Sequence, residues 1–505
     1  MPKATLQFGE WRPDVALLDN QYASIADNVF PGLNCYKPVP GLQPISNDML
    51  PERCIGLFSA RRLDGTWTTY AGTPHKLWKW TTAGWVNVTR TTGGDYNVPT
   101  EEEMWSFAQF GVHLIAVAVS EVPQWINVET EVNFSPLPGN PPKAHNVHVI
   151  GDFVFLSALA LGGTIPGSSI PTNLRQILWS GINDPTNYTP GTGLSDYQEM
   201  PDGGIVKGIA GNEVGYIVQD RSIRLLQFLP GDINTIFSIN RVVKDRGCMS
   251  EFGFGTVADD LYFMSEDGPY KLSGNQLDPI GQEKISEWFV ANSSVEARLF
   301  IQFVPTNRPY IVFAFQSNGS TQFYDRALIY NWLLQRWSTA TVAAQAWAQL
   351  SSSPLDLDTT GDEPGDEWLE WAGSPQPHSL DSLIYYGGRP FLGAIDELGR
   401  LCSLTGPNLL AKMQTSEAHL VPGMRAYVSE VYPLCDTDLG TISVETRERL
   451  GDAPATSLDY PLEITGSASV LTSARLHRFK LTIPAGEDWT RAEGVLAEAQ
   501  PDGHA

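Results

Sequence analysis

The feature that most constrains this chain is a recurring unit, a polar or glycine-bearing turn followed by a short apolar run. It appears as FGVHLIAVAV (Phe110–Val119), IGDFVFLSA (Ile150–Ala158), AGNEVGYIVQ (Ala210–Gln219), ADDLYFMSEDG (Ala258–Gly268), NRPYIVFAF (Asn307–Phe315) and GGRPFLGAID (Gly387–Asp396). Turn residues before a short apolar run mark a buried strand. The spacing is mostly ~40 to 60 residues, the length of a four-stranded propeller blade with or without one long loop. A blade has two apolar faces, and only a neighbour on each side can cover both. The fold expected is therefore all-β: a β-propeller of six or seven blades with an additional small β-sandwich-like domain.

Composition agrees. At 505 residues the chain exceeds the ~250 to 300 at which one core usually stops growing. Its 46 Gly and 36 Pro, with 18% charged residues, suit many short strands and tight turns. The stretch GTWTTYAGTPHKLWKWTTAGWVNVT (Gly65–Thr89) places Trp67, Trp78, Trp80 and Trp85 on three alternating strands separated by AGTPH and TTAG. Each ring buries ~150 to 250 Å², enough to seal a narrow sheet against the next. Packing is the reading preferred over a sugar-binding shelf.

Residues 1–51 form an N-terminal arm and connector that is free to join the C-terminal β domain. The propeller follows over 52–405, interrupted by an acidic insert at 354–381, and a sandwich-like domain with a disordered tail occupies 406–505. In that last region MRAYVSEVYPL, GTISVETRERL and ARLHRFKLTIP alternate apolar and charged residues, as strands with one solvated face do.

The net charge of −24 disfavours adhesion to phosphate backbones, which depends on Lys and Arg. Five cysteines without CxxC spacing indicate neither a disulfide framework nor a zinc knuckle. The N-terminus MPKATLQFGEW lacks the apolar core of a signal peptide, and no run reaches the ~20 residues of a membrane span. No secretion signal or membrane anchor is expected.

No phosphate-binding glycine loop, dinucleotide fingerprint, HExxH or GxSxG occurs. His145 and His148 are three apart, which on a strand puts them on opposite faces, unable to share a metal. ARRLDGTW (Ala60–Trp67) superficially resembles the aspartate box of propeller glycosidases but keeps only the final Thr-Trp. Converging carboxylates from different blades would leave no linear signal. On these grounds no enzyme, cofactor or metal is expected. The acidic residues Asp356, Asp358, Asp362, Glu363, Asp366 and Glu367 depart from the EF-hand frame. They form a candidate loop that repels DNA or gates its passage.

Four stretches carry a resemblance: LQFGEWRPDVALLDNQYASIADNVFP (Leu6–Pro31), ILWSGINDPTNYTP (Ile177–Pro190), LIYNWLLQRWS (Leu328–Ser338) and RLHRFKLTIPAGEDW (Arg475–Trp489). Together they resemble the tail nozzle or hub proteins of short-tailed bacteriophages, also called packaged-DNA stabilisation or tail tubular proteins. The resemblance implies a structural virion protein, assembled in the host bacterial cytoplasm as a homohexameric ring below the portal. Its partners would be the adaptor of the head-tail connector complex and tail fibres or spikes. The ring would enclose the DNA channel, retain packaged DNA and allow its ejection, with DNA passing unbound. The competing reading is a β-propeller that binds or degrades glycans as a virion enzyme.

Overall fold

A strand that is apolar on both faces needs cover on each, and this chain provides it by setting seven four-stranded antiparallel blades side by side, six of them separate sheets and one part of a larger sheet. The computed structural model describes residues 3–502 apart from 17, 82–83, 100–102, 232–234, 295–298, 304–308, 321–323 and 352–389. Blades 1 to 6 span residues 56–87, 106–136, 144–199, 206–243, 254–279 and 299–340 in order. Their first strands, with Ala346–Ser351 of blade 7, touch one another in sequence, and Ala346–Ser351 also touches Gly56–Arg61 of blade 1. The circle is closed, and the protein is a seven-bladed β-propeller.

Blade 7 is completed from elsewhere in the chain. Its fourth strand is Gln43–Met49, paired with Arg400–Ser403 through Arg400↔Met49 and Ser403↔Gln43. The N-terminal segment thus latches the ring. The stretch expected as a connector contains this strand, whose sequence QPISNDM has no apolar alternation because much of it stays exposed.

Seven apolar clusters fill the seams, and the second strand of each blade feeds two of them by alternating its side chains. In blade 2, Leu114 and Ala116 face blade 1, whereas Ile115 and Val117 face blade 3. In blade 5, Leu261 and Phe263 face blade 4, whereas Tyr262 and Met264 face blade 6. These second strands hold the apolar runs singled out in the sequence. Trp78, Trp80 and Trp85 pack with Ile45 in the seam between blades 7 and 1, and Trp80 meets Trp85 edge-on at 5.0 Å. Packing accounts for these three rings.

The remaining strands form the sandwich. One sheet holds Ala426–Cys435, Ala468–Ala474 and Ala492–Pro501 with Lys3–Gln7, Val29–Pro31 and Tyr36–Pro38. The other holds Ala411–Gln414, Thr441–Arg447 and Leu476–Ile483, and Ile25–Asp27 joins it to the outer strand of blade 6. One core runs through this junction, from Met264, Phe313 and Trp337 of the propeller to Met413, Val428 and Phe479 of the sandwich.

The arm is stapled along the same junction. Trp11 meets Trp288 edge-on at 5.0 Å, and the Lys284 ammonium lies 2.7 Å from the Glu10 carboxylate. Asp14 accepts hydrogen bonds from the backbone N–H groups of Glu287 and Trp288, at 2.9 and 2.8 Å. It supplies the N-terminus of the helix Ser286–Asn292 with the acceptor its own preceding residue lacks. No described helix is long and apolar enough to cross a membrane.

His477, on the strand Leu476–Ile483, is fully buried, and neither ring nitrogen has a hydrogen-bond partner. Burial pushes its pKa down from 6.5 to about 4. Between those values the unfolded chain binds the proton and the folded chain does not. The stability tied to the neutral ring is therefore complete above pH 6.5 and is lost as pH falls towards 4, at most on the order of 3 kcal/mol. We predict that His477→Phe reduces the fall in melting temperature between pH 7 and pH 4.5. Calorimetry at the two pH values measures it.

Candidate functional site

The innermost strands leave a cavity of about 510 Å³ on the propeller axis. Most of its described wall is small or aromatic, with Phe58, Trp67, Trp105, Phe107, Phe254 and Trp347 among the lining residues. Phe58 and Phe107, from blades 1 and 2, stack at 6.2 Å. Trp105 lies over two glycines: a Cβ on Gly72 would come within 2.2 Å of its ring, and one on Gly56 within 2.7 Å of its own Cβ. Its indole N–H donates to the Thr73 carbonyl at 3.0 Å. Small residues on the blade-1 strands are thus what admit a tryptophan beside the axis.

Polar groups are few and mostly engaged. The strand Ala144–Ile150 sends His145 to Glu251, at 3.1 Å, while Nε2 of His148 meets the Gly211 carbonyl at 2.8 Å. Burial holds the His148 pKa below its ordinary value, so the ring is neutral and donates through Nε2. Asn146 donates to the Lys207 carbonyl at 2.6 Å. Glu251 is the one carboxylate among the described lining residues. Hydrolysis of a glycosidic bond by the usual route uses two carboxyl groups ~5 to 9.5 Å apart. The cavity as described is suited to holding an uncharged ligand with a flat apolar face. Its described residues come from six blades, so no contiguous motif announces it.

Other sequence features resolve as structure. In ARRLDGTW, Asp64 Oδ1 accepts from the backbone N–H and the hydroxyl of Thr66, at 2.8 and 2.6 Å. Gly65 there has a φ of +84°, so the motif is a hairpin lock. All five cysteines are free, and burial pushes the Cys54, Cys248 and Cys402 thiols up to about 12, which keeps them protonated. Among the described residues no group of three or more His, Cys, Asp or Glu could hold a metal ion. The acidic-loop candidates Asp356, Asp358, Asp362, Glu363, Asp366 and Glu367 lie outside the described residues.

No family model matches the chain, and no curated protein does. Among solved structures it is similar to the Pan2 WD40 domain of Neurospora crassa, at 6% identity over 63% of this chain and 88% of that one, TM-score 0.35. It is similar to a glycoside hydrolase at 10% identity, over 90% of this chain and 100% of that one, TM-score 0.26. A third is the exo-beta-1,3-galactanase of Phanerochaete chrysosporium, at 10% identity over 81% and 98%, TM-score 0.25. Likeness at this level concerns fold and transfers no substrate. The expectation that the chain is not an enzyme does not stand, and glycoside hydrolases are among the structures it is similar to. The physical reason is that a catalytic set drawn from several blades leaves no linear motif, so a missing motif excludes nothing.

The contact of Trp105 with Gly72 is open to test. Gly72→Ala should destabilise the protein by about 1 to 3 kcal/mol, because the ring must leave its place against the strand. Chemical denaturation measures the loss, and an unchanged midpoint would show that Trp105 is not held there.

Proposed function

We propose that the chain is a structural component of a short phage tail, a nozzle or hub subunit that assembles as a ring around the DNA path. One observation carries the reading. Three of the four stretches that resemble this family meet in a single core, although they are far apart in sequence. Phe8, Trp11 and Val29 from the first pack with Leu328, Tyr330 and Trp337 from the third, and with Phe479, Ile483 and Trp489 from the fourth. What the resemblance selects is thus a common architecture, a propeller blade welded to a sandwich by an N-terminal arm. A net charge of −24 suits a wall past which DNA slides without adhering. The ring would be six-fold, would seat on the adaptor of the connector, and would hold packaged DNA until ejection.

Mass photometry of the purified full-length chain tests the assembly. Closed rings, formed by the chain alone or on addition of a cognate adaptor ring, are expected. A chain that stays monomeric under both conditions would remove this reading.

A second reading, a propeller that binds or cleaves glycans, is favoured by the ring-walled axial cavity beside Glu251. It predicts retention or cleavage of at least one oligosaccharide on a glycan panel, with the effect lost in Glu251→Gln. Binding that survives that substitution would place any sugar elsewhere.

A further inference from the structure

A second cleft, of about 700 Å³, opens where blades 4 and 5 meet, on the face formed by their connecting loops. Its wall comes from the segment before blade 4, from the turn after Gln219, and from the connector that leaves blade 4 at Val243. Lys207, Arg221, Arg241 and Lys244 line it, an unusual concentration of cations in a chain of this net charge.

The nearby carboxylates only partly neutralise them. Asp202 is shared between Arg224 and Arg241, so one carboxylate faces two guanidinium groups. Asp220 pairs with Lys207 at 3.2 Å and spends its other oxygen on the Ile205 N–H. Arg221 and Lys244 are exposed, and neither forms an ion pair among the described residues. Glu266 is the one further acid in the wall. Two unpaired cations, Arg221 and Lys244, therefore face one remaining carboxylate, beside an Arg241 that has only a shared counter-ion.

We propose that this cleft binds a phosphate-bearing polyanion, with two or more phosphate groups held between Arg221, Arg241 and Lys244. A lone carboxylate would balance only one of the two unpaired cations, whereas linked phosphates balance both and reach the under-neutralised Arg241 as well. Guanidinium groups also match phosphate oxygens in pairs. The overall negative charge of the protein repels such a ligand at long range, so contact is confined to this cleft and is strongly salt-dependent. The same phosphate chemistry is offered by free polyphosphates and by a single strand of nucleic acid. The inference rests on the cleft alone and does not depend on the tail reading.

Isothermal titration of the full-length protein with sodium tripolyphosphate, and separately with a short thymidine oligonucleotide, tests it. At least one should bind, with affinity falling as salt rises. The double variant Arg221→Ala, Lys244→Ala should weaken that binding at least tenfold while its melting temperature stays at the wild-type value, since neither side chain is paired in the fold. Binding of tripolyphosphate alone would assign a free polyphosphate, and binding of the oligonucleotide would assign a strand. Absence of binding by the wild type, or equal binding by the double variant, would overturn the proposal.

Discussion

The structure depends on each blade being covered by its neighbours. A four-stranded sheet with apolar side chains on both faces is insoluble alone and stable only between two others, so the ring must close or leave a greasy flank exposed. Every seam has its own cluster, and the second strands tie consecutive clusters together: Leu392 and Ala394 reach the seam with blade 6, while Phe391 and Ile395 reach the seam with blade 1. Closure is made by hydrogen bonds to Gln43–Met49, a strand from the opposite end of the propeller sequence, so the ring cannot open without stripping the N-terminal segment away.

Blade 6 departs from this pattern in a way that organises the whole molecule. Its outer edge is covered by Ile25–Asp27, and through that strand its sheet continues into the sandwich. An edge that would otherwise invite pairing with another chain is thereby used internally. Both ends of the described chain also meet here, since Lys3–Gln7 pairs with Ala492–Pro501. The propeller and sandwich share one core, and a force applied to the sandwich is delivered to the blades.

The two candidate sites differ in the physics they offer. On the axis, rings and small side chains surround a space with little charge, and its histidine is held neutral by burial. At the seam of blades 4 and 5, loop cations outnumber the acids that pair with them. The first would discriminate by shape and the second by charge, so salt would weaken a ligand of the second far more than one of the first.

Much of the propeller was legible in the sequence because a strand buried on both faces must be largely apolar, as YIVFAF and FVFL are. The three strands of the tryptophan-rich stretch were legible too, since large apolar and polar residues alternate along KLWKWT and GWVNVT and glycine-bearing turns divide the strands. Gln43–Met49 was not, because an outer strand with an exposed half need satisfy only its backbone. Neither cavity could be read, because Phe58, Phe107 and Phe254, like Arg221, Arg241 and Lys244, become neighbours only once the ring places their strands and loops side by side. The amino-acid sequence by itself determined that the chain builds blades, through local patterns of burial and turn. Tertiary structure alone decided how many blades close the circle, which segment latches it and which side chains share a cavity, because these depend on contacts between residues tens to hundreds of positions apart.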